Sequence, residues 1–226
     1  MLKFSFPKKE DIPYLLQMTK NSIQGTEVFT FLTLHSEGIP EGSVFCGRDE
    51  RGEIKSLVFN NSDRYIPVFG EEFPEIFTYE KKCLMIYDAD ACSASDSDSL
   101  SCCSELSGRD ILSSYTLFSE GELSDADEKR YVYKMRSVNH GMAKVLGIKR
   151  DGALISTACI SASNLSYALI ADVFTLSSER KKGLAAICVK KCVSLIKEKG
   201  LTPYLLCDDK MCPYYEKLGF IYHGKM

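Results

Sequence analysis

The sequence predicts an α/β chain of the α+β type, built on a mixed, mainly antiparallel twisted sheet flanked by helices. Three observations predict it. Two apolar runs of strand length turn back at glycine, once at residues 49–52 and once at residues 150–152. The last third of the chain alternates strand-sized with helix-sized segments. The composition, 45% hydrophobic and 26% charged over 226 residues, suits one large domain or two small ones with a proper core.

The elements follow in order. Residues 8–24 place Ile12, Leu15, Leu16, Thr19 and Ile23 at helix-compatible spacing. Residues 43–48 and 54–60 form the first hairpin around Gly52. Residues 76–88 read as a further strand, most apolar at 83–87. The stretch DADACSASDSDSLSCCSELSG, residues 88–108, is rich in Ser and Asp and reads as a linker or exposed loop that carries Cys102 and Cys103. Helices are expected over 109–117 and 125–135, with Ser124 and Asp127 at N-cap spacing for the second. A second hairpin pairs 145–148 with 154–161. A strand follows at 167–175, then a helix over 183–199 with Leu184, Cys188, Cys192 and Leu195 on one stripe and Gly200 as its stop. A strand at 204–207, a short helix at 213–218 and a strand at 220–222 complete the chain.

Charge and cysteine usage narrow the function. A formal charge of -3 and a pI near 5.7 argue against a nucleic-acid binder. The first residues are charged where a signal peptide needs an apolar run. The 20 residues between Asp151 and Asp172 carry no formal charge. They do hold Ser156, Thr157, Ser161, Ser163 and Asn164, so two strands are expected there and no membrane span. Ten cysteines without C-x-x-C spacing, beside three histidines, point to free thiols in a reducing cytoplasm and to no metal. Gly47, Gly52, Ile54 and Ser56 align without a gap on Gly147, Gly152, Leu154 and Ser156. Two unrelated glycine-turn hairpins would give such a match. So would an internal duplication, which implies two tandem units, 1–105 and 106–226.

The chemistry concentrates after the strand at 167–175. Arg180-Lys181-Lys182-Gly183-Leu184-Ala185 is a basic entrance to a helix. Backbone N–H groups at a helix start point at an anion, and the helix dipole favours one. Gly183 and Ala185 lack bulk, so a phosphate can approach the backbone, while Lys181 and Lys182 add positive field. A solvated basic loop is the plainer alternative. The Walker spacing is absent.

Tyr214-Tyr215-Glu216-Lys217-Leu218-Gly219-Phe220 lies some thirty residues on. Together the two segments resemble the GNAT superfamily of acetyl-CoA-dependent N-acetyltransferases. Arg180, Gly183 and Ala185 match its [RQ]-x-x-G-x-[GA] motif, and Tyr215, Glu216, Gly219 and Phe220 match its Y-E-x-x-G-F signature. The resemblance covers residues 143–226 and implies a GNAT-like fold. It implies transfer of an acetyl group from acetyl-CoA, as cosubstrate and without metal, to a primary amine on a small molecule or peptide. The backbones of Val173 and Thr175 would hold the pantetheine arm. Amides near Val173 would polarise the thioester carbonyl. Arg180, Lys181, Lys182, Gly183, Leu184 and Ala185 would form the pyrophosphate loop. Tyr215 would protonate the leaving thiolate. Asp172 and His140 are the candidate bases.

The sequence departs from the family in three places. Asp208 stands where members often carry Asn against the pantetheine arm. The chain ends soon after its last strand, where the family usually adds another, so that strand comes from elsewhere in the chain or is missing. After the first hairpin, residues 64–72 hold Pro67 and Glu71-Glu72 in place of the phosphate motif, so the first half reads as a degenerate unit without CoA. The acidic residues Glu120, Glu122, Asp125, Asp127 and Glu128 either attract a cationic amine or form a solvated face. A non-catalytic acyl-CoA-binding module or interaction protein on the same fold is the alternative function.

Overall fold

The computed structural model describes residues 2–60, 65–70, 73–74, 77, 81–91, 97–118 and 123–226. The chain divides into two compact units. One holds residues 1–81, 164–167 and 226; the other holds 82–163 and 168–225.

The first unit is a four-stranded antiparallel sheet with two helices. Its strands β1 (Lys3–Ser5), β2 (Val44–Arg48), β3 (Ile54–Asn60) and β4 (Tyr65–Phe69) lie in that order. The hairpin expected from the sequence is β2–β3. β4 holds Pro67. It is tolerated since β4 is an edge strand, where a missing N–H costs no ladder bond. Arg64, Glu71 and Glu72 lie outside the described residues.

Helix α1 (Ile12–Thr19) buries Ile12, Leu15 and Thr19. Helix α2 (Thr26–Leu34), TEVFTFLTL, has the β-branched composition of a strand. Burial overrides that preference. Val28, Phe31, Leu32 and Leu34 are packed inside, and Thr26 and Thr33 donate their hydroxyls to the carbonyls of Ser22 and Phe29 four residues back.

The second unit is a seven-stranded sheet in the order β11-β5-β10-β9-β8-β7-β6. Its strands are β5 (Cys83–Tyr87), β6 (Ser104–Glu105), β7 (Lys144–Arg150), β8 (Ala153–Ser163), β9 (Tyr167–Thr175), β10 (Thr202–Cys207) and β11 (Phe220–Lys225). Helices α3 (Gly108–Phe118), α4 (Asp125–Asn139), α5 (Leu184–Glu198) and α6 (Cys212–Glu216) connect them. β5 comes from the N-terminal side of residue 105, yet it pairs antiparallel with both β10 and β11. The strand that stands between the last two is thus supplied from earlier in the chain. Its apolar run explains the position: Cys83, Leu84 and Met85 are all buried, and an edge would leave one side of that run in water.

Residues 88–108 are more than a linker. Short 3-10 turns span Ala89–Ala91 and Ser97–Cys102, and β6 pairs with β7. Leu100, Cys103 and Leu106 recur every third residue. Cys103 is only 4% exposed and joins the main core, while Leu106 joins a second cluster with Ile111, Tyr115, Val145, Leu154 and Cys159. Cys92 lies outside the described residues.

The uncharged stretch between Asp151 and Asp172 forms β8 and β9, and Asn164 makes the turn by accepting from the amides of Ser166 and Tyr167 at 3.0 and 2.8 Å. The two hairpins share their buried serines, Ser56 and Ser156, but not their register. Gly47 faces Ser56, whereas Gly147 faces Thr157. The second turn is a two-residue Asp151-Gly152 loop with φ of 51° and 81°, and the first is longer. No helix among the described residues is long and apolar enough to cross a membrane.

The inserted strand gives a stability test. Met85 is fully buried between Leu205 and Tyr222 on the neighbouring strands. Met85→Ala should cost about 2–5 kcal/mol in the unfolding transition followed by denaturant titration. A loss below about 1 kcal/mol would show that β5 does not support the sheet.

Candidate functional site

The site is built on β9 and the segment that follows it. Thr157 faces Phe174 and Cys159 faces Ala171, so Asp172 and Val173 together oppose Ala158. This is a β-bulge, and Asp172 takes a left-handed φ of 51° within it. Three hydroxyl contacts from β8 hold the distorted stretch. Thr157 Oγ1 donates to the Asp172 carbonyl at 3.1 Å, Ser156 Oγ donates to the Phe174 carbonyl at 2.9 Å, and Ser156 Oγ lies 2.8 Å from Thr175 Oγ1. Both hydroxyl residues are buried. A bulge breaks the ladder locally and re-aims its backbone groups, which suits the amides near Val173 for work on a ligand. Val173 itself packs against the main core.

The chain then enters the basic loop. Arg180 turns back, and its Nε donates to the Thr175 carbonyl at 3.1 Å. Glu179 accepts from Arg150 at 2.6 Å and from Lys182 at 3.1 Å. These two cations hold its carboxyl below the usual range, against a smaller opposing effect of desolvation. Lys181 and Gly183 take left-handed φ of 64° and 78°. A Cβ on Gly183 would meet nothing within 4 Å, so the space before the helix is open.

Helix α5 starts at Leu184 with no side-chain cap and no acidic residue in its first turn. Its first bond of α type runs from the Ile187 amide to the Gly183 carbonyl. The amides of Leu184, Ala185 and Ala186 therefore have no partner within the helix. Open space, small residues and a positive helix end fit a pyrophosphate.

Tyr215 lies on α6 and is 7% exposed, with its ring 5.0 Å from that of Tyr214 and 6.0 Å from that of Phe220. Burial raises its phenol well above the ordinary value. Asp208 ends β10, and its carboxylate accepts from Lys82 Nζ at 2.8 Å, which lowers its pKa. His140 caps the C-terminus of α4, with Nδ1 2.9 Å from the Arg136 carbonyl. That is a helix-end role. Asp125, Asp127 and Glu128 lie in the first turn of α4, where the dipole favours them, and Ser124 and Asp127 close the expected capping box. Glu120 and Glu122 lie outside the described residues. Among the described residues no group of His, Cys, Asp and Glu is placed to hold a metal ion.

Asp172 has a partner that sequence reasoning missed. Lys134 Nζ lies 2.9 Å from its Oδ2 and also donates to Ser161 Oγ at 2.8 Å and Cys159 Sγ at 3.2 Å. The Lys134 side chain is 7% exposed and that of Asp172 42%. Burial is the largest single effect and opposes the ammonium charge, but Asp172, Cys159 and Tyr115 together outweigh it and raise the Lys134 pKa well above its ordinary value. A signal did exist. Lys134 lies on the face of α4 that carries the apolar residues Tyr131, Met135 and Val138, where an unpaired charge would not be stable.

The profile of the acetyltransferase (GNAT) family matches residues 108–220, half of the chain. No curated protein sequence matches the chain. Two solved structures match it along its whole length. A tandem GNAT protein from the clavulanic acid biosynthesis pathway superposes with a TM-score of 0.58 at 12% identity, over 100% of this chain and 96% of that one. A glucosamine N-acetyltransferase region of a fungal multi-domain β-N-acetylglucosaminidase gives 0.58 at 10% identity, over 100% and 37%. A GNAT-family putative acetyltransferase from Novosphingobium aromaticivorans gives 0.49 at 22% identity, over 65% of this chain. The chain spans 61% of the length of that protein. The two whole-length likenesses show the fold: mixed α/β, dominated by antiparallel sheet.

The loop carries its own pH test. The Glu179 pKa is lower folded than its ordinary 4.5, so its contribution is complete above that value and is lost as pH falls through the folded pKa. Glu179→Gln should lower the melting temperature at neutral pH, and the gap to the parent should close below about pH 4.5. A gap that persists at acid pH would assign the loss to packing.

Proposed function

Because the chain belongs to the acetyltransferase (GNAT) family, we propose that it moves the acetyl group of acetyl-CoA to a primary amine by direct attack. One observation carries the reading: a bulged strand and an uncapped, acid-free helix start are joined by residues 176–183 in a single strand–loop–helix unit. The first is a place for a reacting carbonyl and the second a place for the diphosphate of the donor.

The donor would lie along β9, with its pantetheine arm on the backbones of Val173 and Thr175. Lys181, Lys182, Gly183, Leu184 and Ala185 would receive the pyrophosphate through their amides, and Arg180 would brace the strand end by its bond to Thr175. Asp208 would flank the arm, with Lys82 holding its carboxylate. As the neutral amine attacks, charge grows on the carbonyl oxygen, and an amide near Val173 would stabilise it. The bond to sulfur then breaks, and the thiolate takes the phenolic proton of Tyr215. Burial keeps that phenol protonated until the thiolate is formed.

Asp172 already serves as the counter-charge of the buried Lys134. Its half-exposed carboxylate is suited to receive the cationic acceptor, which attacks after losing its proton to water. The second half, with the motif, would be the CoA-binding unit and the first half a unit without one. A reducing cytoplasm suits the nine described cysteines, all of which are free thiols.

Two experiments test this. Calorimetric titration should give one CoA per chain, and ligand at 100 times its Kd should add about 2.7 kcal/mol of stability. Gly183→Glu should abolish both by setting a carboxylate against the phosphates. The fold should tolerate it for about 1–2 kcal/mol of backbone strain, because the space is open. A stoichiometry near two would overturn the reading of the first half. CoA binding without thiol release over an amine panel would favour the non-catalytic module.

Tyr215→Phe keeps the ring and removes the proton. On an amine that is acetylated by the parent, kcat should fall by about 100-fold with CoA affinity little changed. Turnover at the parental rate would remove Tyr215 from the mechanism.

A further inference from the structure

The register of β8 against β9 shifts twice. Thr157 faces Phe174, but Cys159 faces Ala171, because β9 carries one extra residue at Asp172–Val173. Ile160 faces Ile170, but Ala162 faces Leu169, because β8 carries one extra residue at Ser161. The second shift cancels the first, and Ser163 meets Ala168 back in the original register. A single short segment, Cys159–Ile160 against Ile170–Ala171, is displaced between two bulges.

One side chain touches both ends of that segment. Lys134 reaches in from α4, and its ammonium has three hydrogens and three partners: Ser161 Oγ at the β8 bulge, Asp172 Oδ2 at the β9 bulge, and Cys159 Sγ inside the displaced segment. The group is buried, so none of these bonds is traded freely for water. The bulge it holds is strained, since Asp172 sits at φ 51° and a β-strand relaxes to extended backbone when nothing prevents it. Asp or Asn tolerates this φ better than most residues, but tolerance alone does not select it.

We propose that Lys134 is a positioning residue: its ammonium locks the two compensating bulges and so fixes the direction of the Val173 backbone amide. For its catalytic consequence the proposal rests on the acetyl-transfer reading; the locking of the backbone does not depend on it. Lys134 itself touches no reacting atom. Thr157 and Ser156 hold carbonyls of the same stretch from the other side of the residue pair, but neither reaches the β8 bulge.

The test uses the full chain with Lys134→Met, which keeps length and removes charge. Amide hydrogen exchange, read residue by residue by NMR, should rise about tenfold or more at Asp172 and Val173 while amides in the middle of α5 keep their protection. On an accepted amine kcat should fall about tenfold or more, with the KM for acetyl-CoA within about twofold of the parent. Should that variant fail to fold, Lys134→Met with Asp172→Asn leaves no unpaired charge, keeps a residue suited to φ 51°, and should show the same two changes. Unchanged exchange at Asp172 and Val173 in a folded variant overturns the lock. Faster exchange with parental kcat overturns the positioning role. A parent that acetylates no amine sinks the acetyl-transfer reading and with it the catalytic role of Lys134, while the exchange measurement still decides whether the lock exists.

Discussion

The pairing of β8 with β9 is the constraint from which the chemistry of the second unit follows. A strand slipped by one residue turns every side chain to the opposite face, so a sheet buried on both sides ordinarily forbids it. Here the slip is made and undone within a few residues. The apolar residues on either side, Ile155, Ala158, Ile160, Ala168 and Ile170, all remain in the core. The polar groups that the slip uncovers are answered by buried side chains: the hydroxyls of Ser156 and Thr157 and the ammonium of Lys134. Among the described residues no buried side-chain nitrogen or oxygen lacks a partner. That completeness is what allows a local irregularity to persist inside a stable sheet.

The other half of the site depends on a strand that comes from far away in sequence. β5 sits between β10 and β11 and carries both. Tyr87 of β5 packs edge-on against Phe220 at 5.4 Å, and Phe220 packs against Tyr215. Lys82, the residue just before β5, holds Asp208 at the end of β10. The strand from before the Ser/Asp-rich stretch thus supports Tyr215 and Asp208 together. The basic loop before α5 is stabilised differently. It relies on ion pairs that face water, centred on Glu179, which are individually weak and respond to salt and pH.

Much of this was legible in the sequence, and the reason is range. β9 begins and ends where its apolar run does, and α5 runs between Gly183 and Gly200, because both are set by patterns within a dozen residues. The Arg180–Ala185 entrance could be read for the same reason: small residues, positive charge and a helix start are local properties. Composition misled where it spoke for a neighbourhood. Ser and Asp in residues 88–108 hid the three-residue spacing that buries Cys103 and Leu106, and the β-branched run of α2 hid a buried helix. The sequence by itself therefore determined the two hairpins, β9, α5 and the small, basic start of that helix, since each depends on near neighbours. Only the tertiary structure decided that β5 lies between β10 and β11, that the β8–β9 register shifts and returns, and that Asp172 faces Lys134. The first and last are pairings between residues tens of positions apart, and Lys134 links the register shift to them from 25 or more positions away, so their energies exist only once the chain has closed on itself.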